Sequence, residues 1–308
     1  MKKLISITTP TYNEEENVRA FYMKIKEIMS AYKEYNYEHI FIDNASEDKT
    51  VEILKEIAKK DKNVKIIANT RNFGDIRSPY YALLQASGDA VITLAADFQD
   101  PPELIPKFIE KWEQGFKIAI GIRTKSQETL TLFLMKKIYY NLVNKLSETK
   151  LIKNFTGFGL YDKRVIGIFK QMDEPYPYLR GLVCDVGFEI AKIPFIRPER
   201  KRGISKHNFY SLYDTAMLGI TNHSKIPLRI ATLFGFLASL ISLIIALIYF
   251  VYKIIFWERF SLGIAPLIIG LFFFFSINLF FLGILGEYIG AILTRVLKRP
   301  LIIEKERI

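Results

Sequence analysis

Cysteine is almost absent from this chain: Cys184 is the only one in 308 residues. No intramolecular disulfide can form, which fits a reducing compartment. A lone thiol of this kind reads as a small buried apolar residue rather than a nucleophile. Zinc-ligand spacings, RNA-binding signatures and recognition-helix patterns are missing too. Charge is absent from two long stretches, Ile230 to Tyr252 and Ser261 to Gly286. Each exceeds the roughly 20 residues that cross the hydrocarbon core of a bilayer. The apolar stretch Leu4-Ile5-Ser6-Ile7 is too short for a signal peptide and reads as an opening strand.

What charge there is leans basic, with a net of +11. Nucleic acid is one explanation of such a balance. The densest basic segment, Arg197-Pro198-Glu199-Arg200-Lys201-Arg202-Gly203-Ile204-Ser205-Lys206, lies just upstream of the apolar pair. Anionic lipid and phosphate ligands explain that placement better, so a membrane and no nucleic acid is the expected partnership. Only Lys253, Glu258 and Arg259 carry charge between the two apolar stretches. Lys225 and Arg229 precede the pair, and Arg295, Lys298 and Arg299 follow it. The positive-inside rule then puts both outer flanks, and the long amino-terminal region, in the cytoplasm.

Residues 1–122 alternate strand and helix. Leu4 to Thr9 reads as a strand ended by Pro10, with Asn13 capping the next helix and Glu16 completing a box-like pair. His39 to Ile42 is a second strand, ending at Asp43. Ser46 is placed to cap a helix through Ala58. Val64 to Ala68 is a third strand, and Ser78-Pro79 reads as a helix start. Ala90 to Ala95 is a buried strand, followed by a helix to Gln114 and a strand from Phe116 to Gly121. This order predicts an α/β domain with a mostly parallel sheet. Apolar residues at helical spacing over 130–148 predict an amphipathic helix, against the core or at a membrane interface. Residues 208–228 predict a second interface helix. The domain plan is 1–207 catalytic, 208–228 juxtamembrane, 229–290 membrane-spanning (helices 230–252 and 263–286) and 291–308 a cytoplasmic tail.

Four polar clusters fall at strand ends, where open α/β sheets bind ligands. They are Pro10-Thr11-Tyr12-Asn13-Glu14, Asp43-Asn44-Ala45-Ser46-Glu47-Asp48, Arg71-Asn72-Phe73-Gly74 and Asp97-Phe98-Gln99-Asp100-Pro101-Pro102-Glu103. Each alone reads as turn or cap chemistry. Together they suit a nucleotide lying across the sheet. Asp97 and Gln99 supply the oxygen donors that Mg²⁺ or Mn²⁺ takes when it holds a diphosphate.

These motifs resemble family 2 glycosyltransferases of the GT-A fold, nearest to those that act on polyisoprenyl phosphates, such as bactoprenol glucosyltransferases and dolichyl-phosphate mannose synthases. The likeness continues through Arg180-Gly181-Leu182, Gly187-Phe188, Arg200-x-x-Gly203-x-Ser205-Lys206, the apolar pair, Gly286-Glu287-Tyr288-x-Gly290 and Arg299-Pro300. It implies a GT-A, Rossmann-like catalytic domain followed by interface helices and a two-helix transmembrane hairpin. It implies inverting, metal-dependent transfer of a sugar from a nucleotide-sugar, of the UDP type, to undecaprenyl phosphate. The setting is the cytoplasmic face of a bacterial inner membrane, and the product feeds cell-surface glycan synthesis. Asp97 and Gln99 match metal positions; Pro10, Tyr12, Glu14, Asp43 and Asn44 match the nucleoside side. Arg200, Ser205 and Lys206 match a loop that closes on the donor diphosphate, so Asp97, Arg200 and Lys206 are the catalytic expectation. Arg123 and Thr156 fall where such enzymes bind the acceptor phosphate. Homo-oligomers occur among such enzymes.

Three departures stand out. Ala95 replaces an aspartate common in the family, Asn44 replaces another, and Gly157 and Gly159 replace a segment whose carboxylate is proposed as a base in some relatives. A nucleotide-sugar-binding scaffold without catalysis is therefore one competing reading. A processive polysaccharide synthase is another, but neither Trp112 nor Trp257 sits in the Gln-x-x-Arg-Trp motif of such enzymes. The closing-loop expectation has a direct check. Arg200→Ala should raise the donor KM, and unchanged donor kinetics in steady-state assays count against it.

Overall fold

Alternation of apolar side chains along each strand gives the sheet two buried faces. In the second strand Phe41 points into one core while Ile40 and Ile42 point into the other. The computed structural model describes residues 2–124, 152–198, 226–256 and 264–308. The strands are β1 (Leu4–Thr11), β2 (Asn36–Asp43), β3 (Val64–Asn69), β4 (Ala90–Thr93), β5 (Ile118–Arg123), β6 (Phe155–Asp162), β7 (Ile190–Phe195) and β8 (Glu304–Arg307). They form one eight-stranded sheet in the order β7-β5-β6-β4-β1-β2-β3-β8. Only β6 and β8 run against the rest. The expectation of a mostly parallel sheet holds.

Helices cover both faces. Helices α1 (Val18–Ser30), α2 (Thr50–Lys60) and α4 (Ile105–Glu113) bury Phe21, Ile25, Leu54, Ile57, Phe108 and Ile109 on one side. Helices α3 (Gly74–Gln85), α5 (Lys163–Met172) and α6 (Leu179–Asp185) bury Tyr80, Leu83, Val165, Phe169 and Leu182 on the other. Fully burying a side chain of this size contributes about 1.5–3 kcal/mol. Asp162 caps α5, accepting the Arg164 N–H at 2.9 Å and the Trp112 indole N–H at 2.7 Å.

Several local expectations shift. Helix α1 starts at Val18, and no side chain caps it. Asn13 instead reaches across, accepting the Glu47 N–H at 2.8 Å, while its own N–H donates to Ser46 Oγ at 2.9 Å. Ser46 is likewise no helix cap; Asp48 serves α2, accepting the Thr50 N–H at 2.9 Å. The two loops cap each other, a tertiary solution that local spacing cannot reveal. Helix α3 begins a turn earlier than Ser78-Pro79, at Gly74, whose φ of +88° suits glycine. Pro79 lies inside it and forgoes one helical bond.

Two further helices are long: α7 (Ile226–Ile255) and α8 (Ile264–Val296). Among the described residues, one segment, the 24-residue Phe273–Val296, is apolar and long enough to cross a bilayer. The span expected over 230–252 lies within α7 and that over 263–286 largely within α8. The second crossing is not established by these helices alone. The amphipathic segment 130–148 and residues 208–225 lie outside the described residues.

The last residues are not a loose tail. Strand β8 pairs antiparallel with β3, and Ile308 and Ile66 exchange N–H bonds at 2.9 and 2.7 Å. Glu304 accepts the Tyr81 hydroxyl at 2.7 Å, and Lys55 meets Glu306 at 2.5 Å. Ile302 is buried against the α3 side of the core. At the foot of α8, Arg295 grips Glu174 with bonds of 2.7 and 2.8 Å.

His39 lies fully buried in β2, its ring 3.9 Å from that of Phe41. Burial drives its pKa from 6.5 down to about 3, with Asp61 opposing weakly. The folded protein therefore keeps His39 neutral while the unfolded chain binds a proton below pH 6.5. Stability is complete above that pH and falls as pH drops toward 3, by about 1.4 kcal/mol per unit from this group. His39→Gln should flatten that slope between pH 6.5 and 5, where carboxylates still titrate little. Chemical unfolding of wild type and variant at stepped pH measures it.

Candidate active site

The strand-end loops converge on one rim of the sheet. Parallel register sets Thr11 beside Asp43 and Pro10 beside Ile42. β4 pairs with β1 only as far as Thr8, so the missing N–H of Pro10 falls beyond that ladder. Four non-glycine residues adopt left-handed backbone at this rim: Asn13 (φ 54°), Ala45 (φ 62°), Phe98 (φ 59°) and Asn154 (φ 61°). Each costs on the order of 1–2 kcal/mol, strain that surrounding bonds must overcome.

Those bonds tie the nucleoside-side residues together. Asp43 accepts the Ser46 N–H at 2.8 Å, the Ser46 hydroxyl at 2.5 Å and the Thr11 hydroxyl at 3.3 Å. Burial raises its pKa, and these bonds pull it back. Glu14 accepts the Asn17 amide at 2.7 Å, and its N–H donates to Thr50 at 2.8 Å. Tyr12 and Glu14 are half-buried beside them.

Asn44 is a hub for the loop after β3. Its Nδ2 donates to Asn72 Oδ1 at 2.8 Å and to the Gly74 carbonyl at 3.1 Å. Its Oδ1 accepts from Asn69 at 3.0 Å and from the Phe73 N–H at 2.9 Å. The amide has no capacity left for a nucleotide, so its direct contribution is to shape the loop. On that loop the Arg71 guanidinium lies 4.0 Å over the Phe73 ring.

The fourth cluster follows β4. Asp97 is 8% exposed, and its Oδ1 accepts the Gln99 N–H at 3.0 Å. The Phe98 ring packs edge-on to Phe21 of α1, 5.3 Å away, and anchors the turn. Gln99 Oε1 accepts from the Arg197 guanidinium. Asp100 Oδ2 accepts the Ala95 N–H at 3.3 Å. Asp97 and Gln99 present a carboxylate and an amide oxygen, a donor set that fits a hard divalent cation completed by water and diphosphate. No cluster of three His, Cys, Asp or Glu side chains suits a metal among the described residues.

Opposite this turn stand arginines. Arg123 ends β5, and burial lowers its pKa to about 10, with Arg197 and Arg180 pressing the same way and Asp100 opposing. Burial raises Asp100 to about 6, against the pull of Arg123. Buried and without a hydrogen-bond partner are Asp100 Oδ1, Arg123 Nε and Thr156 Oγ1. Three guanidiniums beside two carboxylates make a rim suited to anions. Asp100, Arg180 and Arg197 lie within motifs of the sequence that assign them no role; only their charge hints at one. Arg200, Ser205 and Lys206 lie outside the described residues. Gly157 has a φ of +106°, which an aspartate rarely adopts, and a Cβ on Gly159 would sit 2.5 Å from the Ala119 carbonyl. The backbone at these two departures is built for glycine. Cys184 is half-buried, donates to the Arg180 carbonyl at 3.3 Å, and has a pKa raised by burial.

Comparison with known proteins follows this geometry. Residues 6–169 match Glycosyl transferase family 2. The SfII prophage-derived bactoprenol glucosyl transferase of Shigella flexneri is 34% identical, covering 98% of this chain and 97% of that one. The uncharacterized glycosyltransferase YkcC of Bacillus subtilis is 36% identical, covering 97% and 92%. Among solved structures, mannosyl-3-phosphoglycerate synthase from Rubrobacter xylanophilus has 15% identity and a TM-score of 0.45, covering 70% of this chain and 71% of that one.

The Asn44 hub yields a sharp expectation. Asn44→Asp removes both donors and sets a buried charge against Asn72 Oδ1 and the Gly74 carbonyl. Asn72 cannot simply flip, because its Oδ1 also accepts the Gly74 N–H at 2.8 Å. The variant should lose about 2–3 kcal/mol of stability and bind donor more weakly. Thermal unfolding and donor KM check both.

Proposed function

The chain belongs to glycosyl transferase family 2, and on that premise we propose that it transfers a sugar from a UDP-sugar to a polyprenyl phosphate such as undecaprenyl phosphate. One observation carries this reading: Arg197, two residues past the Phe195 that pairs with Arg123, donates to Gln99, so the Asp97–Gln99 turn and the Arg123 group share the rim at the carboxyl ends of β4 and β5. A donor diphosphate and an acceptor phosphate each need one of those sides. Relatives named bactoprenol glucosyl transferases, alike over nearly the whole chain, support the lipid acceptor.

The reaction is a displacement with inversion. An acceptor phosphate oxygen forms a bond to the anomeric carbon as the bond from that carbon to the donor diphosphate oxygen breaks. The nucleoside diphosphate leaves with the electron pair. A phosphate monoester has a second pKa of about 6, so the nucleophile is already anionic at neutral pH. Little proton abstraction is required, which accommodates glycine at 157. Arg123 and Thr156 orient the acceptor. Asp97 and Gln99 are the residues that would hold a divalent cation, Mg²⁺ or Mn²⁺, which when bound would supply charge neutralisation for the leaving diphosphate. Arg200, Ser205 and Lys206, matched in sequence to the family's donor loop, are assigned to the donor diphosphate in this reading.

Topology supports a two-helix membrane hairpin, and the basic flanks Lys225, Arg229, Arg295, Lys298 and Arg299 support a cytoplasmic catalytic domain. The chain leaves α8 at Val296 and enters the sheet at Glu304, so the foot of α8 stays beside the domain. In the chain, α7 follows the catalytic domain and precedes α8. If α8 crosses the bilayer, α7 must cross back. Large apolar side chains on both helices face outward, Phe236 and Leu279 among them, at 65% and 66% exposure. Lipid is the environment that suits them.

The test is a donor screen with undecaprenyl phosphate and the full-length protein in nanodiscs, read by mass of the lipid product. Wild type should form a lipid-phosphate sugar and release nucleoside diphosphate. Asp97→Ala should lower turnover by about 10²–10³-fold while remaining folded. Donor binding without turnover in wild type would favour the scaffold reading instead.

A further inference from the structure

Asp100 has two oxygens with different fates. Oδ2 accepts the Ala95 N–H at 3.3 Å and so closes the turn that carries Asp97 and Gln99. Oδ1 is buried and has no hydrogen-bond partner. Arg123 has the matching feature, since its Nε is buried and unpartnered. The two make no direct ion pair, but the geometry sets them at one place: Phe195 pairs with Arg123, and Arg197, two residues further on, donates to Gln99 beside Asp100. β6 lies between β4 and β5 and runs the other way, so its first residues, Thr156 among them, reach the same rim. The brace to Ala95 needs an acceptor oxygen but no charge. Burying a charge is costly, so a purely structural brace would be served as well by an amide.

We propose that Asp100 is a positioning residue that couples the metal-bearing turn to the acceptor arginine. One oxygen holds the turn. The other fixes the side from which negative charge meets the Arg123 guanidinium, which leaves the remaining N–H groups to grip a phosphate. Donor side and acceptor side are thereby set by one side chain. The inference rests on the polyprenyl-phosphate reading above.

Asp100→Asn separates the two tasks, because its amide oxygen still accepts from Ala95 while the charge is gone. In nanodiscs, with Mg²⁺, undecaprenyl phosphate and the UDP-sugar that the donor screen selects, the lipid KM should rise about tenfold. The donor KM should change less than about twofold. In an Arg123→Gln background, Asp100→Asn should add less than about twofold to the lipid KM, since the coupled partner is already lost. Asp100→Ala removes the brace as well, and should raise the donor KM too. An unchanged lipid KM in productive Asp100→Asn, an equal rise in both KM values, or fully multiplicative effects with Arg123→Gln would each overturn the proposal. A wild type that turns over donor but makes no lipid product sinks the acceptor reading, and the proposal with it.

Discussion

A parallel ladder ends its strands on one rim, and that constraint organises this molecule. β1 pairs with β2 on one side and β4 on the other, all pointing the same way. Their loops must therefore meet. Meeting loops bring backbone N–H groups and side-chain oxygens close together with few partners of their own. The chain answers with mutual capping: Asn13 with Glu47 and Ser46, Asp43 with Ser46 and Thr11, Asn44 with the loop after β3. Left-handed backbone at Asn13, Ala45 and Phe98 is the cost of turning each loop inward. A rigid polar rim results, of the kind that holds a charged ligand without reorganising for it.

Legibility in the sequence followed the range of the interaction. Apolar alternation and run length revealed β1 to β4, because each strand carries its own burial pattern. The Asp97 motif was readable as a strand-end site. What escaped was tertiary. Asn13 and Ser46 have the spacing of helix caps, yet they satisfy each other across two loops. Asn44 sits where a ligand contact was expected, yet its amide is consumed by Asn69, Asn72, Phe73 and Gly74. β6 was not expected, because Gly157 and Gly159 break its apolar pattern; β5 approaches too closely for a side chain at 159.

β8 is the clearest case of an element without local signal. Glu304-Lys305-Glu306-Arg307 has no hydrophobic face and reads as a charged tail. Its strand exists because β3 offers an open edge and because Tyr81, Lys55 and Gln85 answer its charges. The same charges blunt the new outer edge against further pairing. Its position also restrains α8. With Arg295 held by Glu174 at the foot of α8 and Ile302 buried soon after, the end of that helix is tied to the catalytic sheet at two points. A slack linker would let α8 sample many orientations to the sheet; a helix end tied this closely samples few.

The charge of the rim bears on the carboxylate that the family resemblance would place at 157. In the displacement proposed above, whose nucleophile is already ionised, the barrier lies in bringing two anions together and in letting one leave. A base at 157 addresses neither. Arginines at 123, 180 and 197 facing the Asp97 turn address both, because positive charge lowers the repulsion of the incoming phosphate and favours the departing diphosphate. Net positive charge at the rim, however, would bind any phosphate. Asp97 and Asp100 temper it. Glycine at 157 is then no loss of function but a relaxation that the charge balance of the rim permits, and the left-handed backbone there is a geometry that an aspartate would resist.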